Sequence, residues 1–480
     1  MPGRGRPLAT FVVTSVALFM GALDNLVVTM ALPAIKEHLN ASLASLEWTV
    51  NAYTLTFAVL LLPGATLGDR FGRKRMFLIG LGIFTAASAL AAMSSSADQL
   101  IAARALQGVG GAIITPLTLT LLSVAVPAAK RGLALGAWGA IAGLAIAVGP
   151  VVGGAIVDGA SWSWIFWLNV PIGVALLPLA GRLLAESHGP SSRLDAVGTV
   201  LATAGLFAVV LGLVRANDWG WGSSRIVGLF VASAVFLALF VWWEGRAAEP
   251  VLPLRLFQHR GFTMSNLASL FMFFGMFGSI FLLAQYLQVG RGYSPLSAGV
   301  RTLPWTAMPI FIAPIAGLLS DRIGGRRIVA VGLFLQAVGL GWLAAVASPT
   351  VAYLTLVPGL AISGFGMALF FAPVANLVLS SVRHEEQGIA SGAHNAIREL
   401  GGVFGVAVLA SVFAHSGGYS SPQAFTDGVV PAVWVGAAIV ALGGVAALLI
   451  PRRALSQVAV GGEAAAVAAT ADTRLQPTSA

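Results

Sequence analysis

The chain has 480 residues, 58% of them hydrophobic and 9% charged, with no cysteine and a formal net charge of +9. A soluble domain carries about 25% charged residues, so a water-facing globule is excluded, and the lack of cysteine excludes a disulfide framework or a thiolate metal site. The basic excess does not signal nucleic acid, because Lys and Arg are scattered between apolar runs and do not gather on one helix or tail.

A helix needs about 20 residues to cross the hydrocarbon core. Fourteen such spans are predicted, at roughly 8–33, 46–67, 76–95, 99–123, 133–157, 163–181, 195–215, 225–243, 262–287, 296–319, 328–347, 352–379, 388–414 and 428–450. The first follows Arg4 and Arg6 but is too long for a signal-peptide core, which runs to about 15 residues, and it carries Asp24. It reads as a retained span. With the amino terminus inside, 20 of the 27 Lys and Arg fall on internal segments and 5 on external ones, while Arg104 and Arg398 lie within spans. The positive-inside rule then places both termini in the cytoplasm.

The expected fold is therefore all-α and membrane-embedded, with fourteen transmembrane helices. The segment after span two, Gly64-Ala65-Thr66-Leu67-Gly68-Asp69-Arg70-Phe71-Gly72-Arg73-Lys74-Arg75, returns in weaker form after span ten, where it contains Gly317, Asp321, Arg322 and Gly324. This recurrence predicts two six-helix pseudo-repeats, residues 8–181 and 262–450. Two inserted helices with their linkers occupy 182–261, and 451–480 forms a low-charge cytoplasmic tail expected to lack fixed structure. Repeated halves place a transporter's binding site between them, near mid-membrane.

Few ionisable groups lie inside the spans. Asp24 is expected about 20 Å from the inner edge of a core about 30 Å thick, and Arg104 about 8 Å in from the outer end of span four. The two share a depth in the outer half. A buried carboxylate is costly unless paired, and a pair that alternates between ionised and protonated states is what a proton-coupled carrier requires; a fixed packing pair is the alternative. Glu399 in span thirteen reads as a second protonation or cation site, or equally as a partner for a neighbouring helix. The glycines and proline of span five, Gly139, Gly143, Gly149, Pro150, Gly153 and Gly154, make a smooth, bendable face. Candidate substrate-binding groups are Asn51, Tyr53, Phe273, Phe277, Phe281, Gln285, Asn395 and Arg398, although helix packing explains each of them as well. Gly64, Gly68, Asp69, Arg70, Gly72 and Arg73, with Asp321 and Arg322, are candidates for contacts made in one conformer and broken in another. No phosphate-binding loop, dinucleotide fingerprint, zinc-protease motif or nucleophile elbow is present, so no enzyme, cofactor or metal is expected.

Taken in order, these motifs resemble the major facilitator superfamily, and within it the bacterial fourteen-helix drug:proton antiporter branch. The 64–75 turn is similar to the superfamily's signature loop, and Leu23-Asp24-Asn25 through Ala31-Leu32-Pro33 to the branch's first-helix motif. Arg104-Ala105-Leu106-Gln107-Gly108 is similar to the fourth-helix motif, whose arginine is linked to proton transfer. Gly139 through Gly154 is similar to the fifth-helix motif of exporters. Trp164 through Gly173 and Gly292 through Gly299 match further habits of the branch. The resemblance covers residues 8–450. It implies a monomeric inner-membrane antiporter that exchanges protons for hydrophobic drugs or antibiotics. Two departures stand out: span ten lacks the carboxylate that some dication-exporting members carry, so dication efflux is not implied while monocations, neutral drugs and an anionic metabolite stay open, and Glu399 stands where a neutral polar residue is expected. The alternatives are an exporter dedicated to one metabolite, amino acid or siderophore, and a non-transporting receptor or assembly partner.

Overall fold

A computed structural model describes residues 7–189, 195–383 and 386–451. Helices α1 (Pro7–Leu39), α2 (Leu43–Phe71), α3 (Arg73–Ala92), α4 (Ala97–Ala125) and α5 (Ala128–Gly159) come first. They are followed by α6 (Trp164–Leu183), α7 (Ala196–Trp219), α8 (Ser224–Glu244), α9 (Arg260–Gly290) and α10 (Pro295–Ser320). The last four are α11 (Gly325–Val346), α12 (Tyr353–Ser380), α13 (Gln387–Ser416) and α14 (Pro422–Leu448). Among the described residues, 13 of these helices are long and apolar enough to cross a membrane. The remaining predicted span, 133–157, lies on α5, a 32-residue helix with an apolar stretch described at Ala147–Gly159. No strand occurs among the described residues.

The ends of the helices follow from local chemistry. A hydroxyl or carboxylate on Ser42, Ser96, Asp195, Ser223, Ser294 and Ser421 accepts a free amide at the start of α2, α4, α7, α8, α10 and α14. The two copies of the charged turn reverse the chain on Gly72 (φ 103°) and Gly324 (φ 88°), a left-handed conformation that a Cβ would oppose. Helix α1 does not end near residue 33 as expected but continues through Pro33 to Leu39. A proline deletes one backbone bond and bends a helix; it does not have to stop one whose neighbours hold it.

The pattern of neighbours recurs. Helix α4 packs on α1, α2 and α3, and α12 packs on α9, α10 and α11. Helix α1 packs on α5 and α6, as α9 does on α13 and α14. The crossing contacts are paired in the same way, α5 with α10 and α13 with α2. Helix α7 lies against α2 and α13, while α8 packs mainly on α7 and leaves Val227, Val231, Val235, Leu239 and Trp242 exposed. Apolar side chains presented outward in this way belong to a helix solvated by lipid.

Candidate functional site

Asp24 and Arg104 meet in the interior, on α1 and α4, both fully buried. One guanidinium nitrogen, Nη1, bonds Asp24 Oδ2 and also donates to Gln107 Oε1 at 2.7 Å. The Nε of Arg104 donates to the Thr49 carbonyl on α2 at 3.1 Å, and its Cζ lies 4.4 Å from the centre of the Tyr53 ring and 5.7 Å from that of Phe166. The other carboxylate oxygen, Asp24 Oδ1, accepts from Gln107 Nε2 at 2.8 Å and from Asn169 Nδ2 at 2.7 Å. Gln107 Nε2 also donates to Ser88 Oγ at 2.8 Å. Helices α1, α4 and α6 thus meet at one carboxylate, and α2 and α3 bond the Arg104 and Gln107 side chains that hold it. An ion pair out of water is tolerable only when its remaining lone pairs and protons are bonded, and here almost all are; Arg104 Nη2 is left without a partner.

Small residues let α2 and α4 approach closely enough for this. A Cβ on Gly64 would lie 2.5 Å from the Ala112 carbonyl oxygen, and one on Gly111 would lie 3.0 Å from the Tyr53 hydroxyl. On α5, Gly149 rests on Leu26 and Gly153 on the backbone of Val27, so the glycine face seats the helix against the segment of α1 that carries Asp24. A Cβ on Gly154 would meet the Pro295 carbonyl, and one on Gly299 the Pro150 carbonyl, so the same helix also clasps α10. Nothing lies within 4 Å of Gly143, and the packing of Gly139 lies outside the described residues.

At the 64–75 turn, Gly68 abuts Leu117 and Arg73 Nε bonds Asp69 Oδ1 at 2.8 Å. Arg70 lies over Phe71. The segment after α6 folds onto this turn. The Glu186 carboxylate accepts from the Lys74 and Arg75 amides at 2.9 and 3.1 Å, and Gly189 N donates to the Asp69 carbonyl. In the second copy Arg322 is exposed, and the Asp321 side chain lies outside the described residues. Glu386, at the start of α13, is buried and paired with Arg383 and Arg255. The hydrogen bonds from Arg383 hold its carboxyl below the usual glutamate range, against the opposing effect of burial.

The other expected residues fall in two groups. Arg398 Nη1 donates to Asn395 Oδ1 at 3.0 Å and lies 4.4 Å from the centre of the Phe273 ring, which in turn neighbours Phe277. Glu399 is half-buried, within electrostatic reach of both Arg398 and Tyr53. Phe281 is packed in the core, and Gln285 donates to its carbonyl at 2.9 Å while accepting from the Tyr419 hydroxyl. Asn51 is fully buried with neither amide atom bonded. Ser88, Gln107 and Asn169 were not anticipated as site residues. Gln107 could have been found from its place one turn beyond Arg104. Asn169 had a weaker signal, as the amide in the aromatic run Trp164–Trp167 and its continuation. Among the described residues no group of three or more His, Asp or Glu is placed to hold a metal.

A family model described as Major Facilitator Superfamily matches residues 14–406 and 265–476. The chain is 34% identical over 433 residues to the tetracenomycin C resistance and export protein of Streptomyces glaucescens, covering 90% of this chain and 80% of that one. It is 35% identical over 409 residues to the multidrug resistance protein Stp of Mycobacterium tuberculosis, covering 85% and 76%. A solved POT family peptide transporter superposes with a TM-score of 0.67 at 16% identity, over 93% of this chain and 97% of that one, a likeness of fold alone.

Proposed function

The chain belongs to the major facilitator superfamily and is a multi-pass membrane transporter, not an enzyme; from that premise we propose that it is a proton-coupled antiporter that exports hydrophobic small molecules, antibiotics among them. The observation that carries this reading is the fully buried Asp24 carboxylate held by Arg104. When Asp24 takes a proton from outside, it becomes neutral, whereas a guanidinium stays charged. An uncompensated buried charge then remains, which costs about 3–5 kcal/mol and shifts a two-state balance by more than about a hundredfold. That penalty disfavours the conformer in which Asp24 and Arg104 are paired, and loss of the proton favours it again, so proton uptake and release bias the two conformers in opposite directions.

The same reading assigns the remaining parts. Positive-inside counting puts the Gly72 and Gly324 turns and both termini in the cytoplasm, with α5 completing fourteen spans. The recurring neighbours support two halves, 8–181 and 262–450, with 182–261 inserted between them; the proposed tail, 451–480, lies outside the described residues from 452 onward, and the reading takes the chain as a monomer. At the end this reading makes the outer one, Ser294 Oγ donates to Asp158 Oδ2 at 3.0 Å and Gln288 Nε2 donates to the Met30 carbonyl at 3.1 Å, two bonds between the halves. Opening there and closing at the Asp69–Arg73 turns would complete alternating access. Arg398, Asn395, Phe273, Phe277, Phe281 and Gln285, with Asn51 and Tyr53, form the cargo-facing set, and Glu399 is a further proton or cation site near Tyr53.

Accumulation of a panel of unrelated hydrophobic antibiotics, in cells with and without the chain and with the pH gradient intact or collapsed, tests the proposal. Gradient-dependent lowering of several compounds supports it. Lowering of one compound alone makes the protein a dedicated exporter, and an unchanged panel rejects export.

A further inference from the structure

Two guanidinium groups lie inside spans, and their surroundings differ in one respect. Arg104 on α4 sits 4.4 Å from the centre of the Tyr53 ring and 5.7 Å from that of Phe166, and it bonds the Asp24 carboxylate. Arg398 on α13 sits 4.4 Å from the centre of the Phe273 ring and 6.0 Å from that of Phe371. Among the described residues, however, no carboxylate lies within ion-pair distance of it. Counted from Gln387, where α13 begins, Arg398 is about 17 Å along the axis, deep in a hydrocarbon core about 30 Å thick. A guanidinium stays charged there, and a charge without a partner at that depth is costly.

Part of the guanidinium fork is unused as well. Arg398 Nη1 donates to Asn395 Oδ1 at 3.0 Å, its only hydrogen bond among the described residues, and Nε is buried without a partner. The edge formed by Nε and Nη2 is left over, and that edge takes a carboxylate through two parallel bonds. The acid next in the chain, Glu399, does not fill it. Neighbouring residues project about 100° apart around a helix, and Glu399 reaches Arg398 through its field alone while its field also reaches Tyr53. Beside the guanidinium stands an aromatic wall. Phe273 is buried, with the Phe277 ring 5.8 Å and the Phe371 ring 6.1 Å from it. Phe277, Phe371 and Arg398 are each half-buried, so the cluster keeps an open side. Two of its helices, α9 and α13, also pack on α1 and α2 of the other half, and a transporter holds its cargo between its halves.

We propose that this cluster is an anion-recognition site, and that the cargo is a planar aromatic molecule bearing an ionised acid group, a carboxylate or a phenolate. The cargo's acid supplies to Arg398 the counter-charge that Asp24 supplies to Arg104, and it bonds the free edge of the fork. The cargo's ring lies against Phe277 and Phe371. Glu399 competes for the same positive charge. The inference rests on the export reading, in which these side chains face cargo, and it selects the anion among the cargo charges that the sequence leaves open.

Equilibrium dialysis of the full chain in detergent micelles, against empty micelles, tests this with three probes that share one ring system: 2-naphthoate, the neutral 2-naphthamide and the cationic 2-naphthylmethylammonium. The wild type should bind the naphthoate about tenfold or more tighter than either of the others. Arg398→Gln should remove that preference, and Arg398→Lys, which keeps the charge without the fork, should keep part of it. Glu399→Gln should hold the naphthoate at least as tightly as the wild type. Equal binding of the three probes by the wild type, or no binding of the naphthoate, would overturn the inference, as would an unchanged preference in Arg398→Gln. If the glutamine variant does not fold, the lysine variant decides, and naphthoate binding equal to wild type there counts against the fork and overturns the site. Antibiotic export from cells with no preference among the probes sinks this inference alone. Naphthoate held through Arg398, with no drug lowered in cells, sinks the export reading and leaves the anion site standing.

Discussion

Asn169 donates its side-chain amide to Asp24 Oδ1 at 2.7 Å, so a residue 145 positions away in the chain completes the shell of the first-helix carboxylate. Both side chains are buried, and the bond ties α6 to α1 at the level where Arg104 arrives from α4.

Replacing Asn169 by Ala removes a donor from a buried anion, an interaction of about 1.5–3 kcal/mol. The expected result is a fall in export rate of about tenfold or more, with protein levels in the membrane retained. Drug accumulation alongside membrane immunoblots checks it, and wild-type export would mean that Gln107 alone suffices.

Glycine at 154 and 299 is required for α5 and α10 to touch, since a Cβ at either position would press on a carbonyl of the other helix. Gly154→Val is expected to open the outer end and weaken the Ser294–Asp158 bond. Spin labels on Ser294→Cys and Asp158→Cys should report a longer distance in the valine background than in the glycine one.

Glu186 binds two amides at the start of α3 from a segment more than 100 residues away. Glu186→Ala should cost about 0.5–2 kcal/mol, in the range of lost helix caps, and lower the melting temperature in detergent. Glu186→Gln, which keeps acceptor geometry on one oxygen, should lose less.

Glu386 has a depressed folded pKa because of Arg383, so its contribution to stability is present above the unfolded value and is lost as pH falls through the folded one. The melting temperature of the wild type should therefore decline more steeply below the ordinary value of 4.5 than that of Glu386→Gln. Parallel acid limbs would remove Glu386 from the balance.

Much of this was legible in the sequence because a membrane helix has a fixed rise. Counting residues puts Asp24 and Arg104 at one depth, and the structure bonds their side chains. The end of α1 lies beyond the predicted boundary at 33, because packing carries the helix through Pro33 to Leu39. Asn169 and Ser88 were not legible as site residues, since an amide or hydroxyl in a span is common and only the rotation of α6 and α3 decides which one reaches the acid.

The most direct test of the account is substrate-dependent proton flux in proteoliposomes, compared between the wild type and Asp24→Asn with a compound the wild type exports. The account predicts coupled proton movement in the wild type, and in the variant neither proton movement nor uphill export, with the protein still folded in the bilayer. Uphill export at the wild-type rate by Asp24→Asn, with protons still moving, would contradict it.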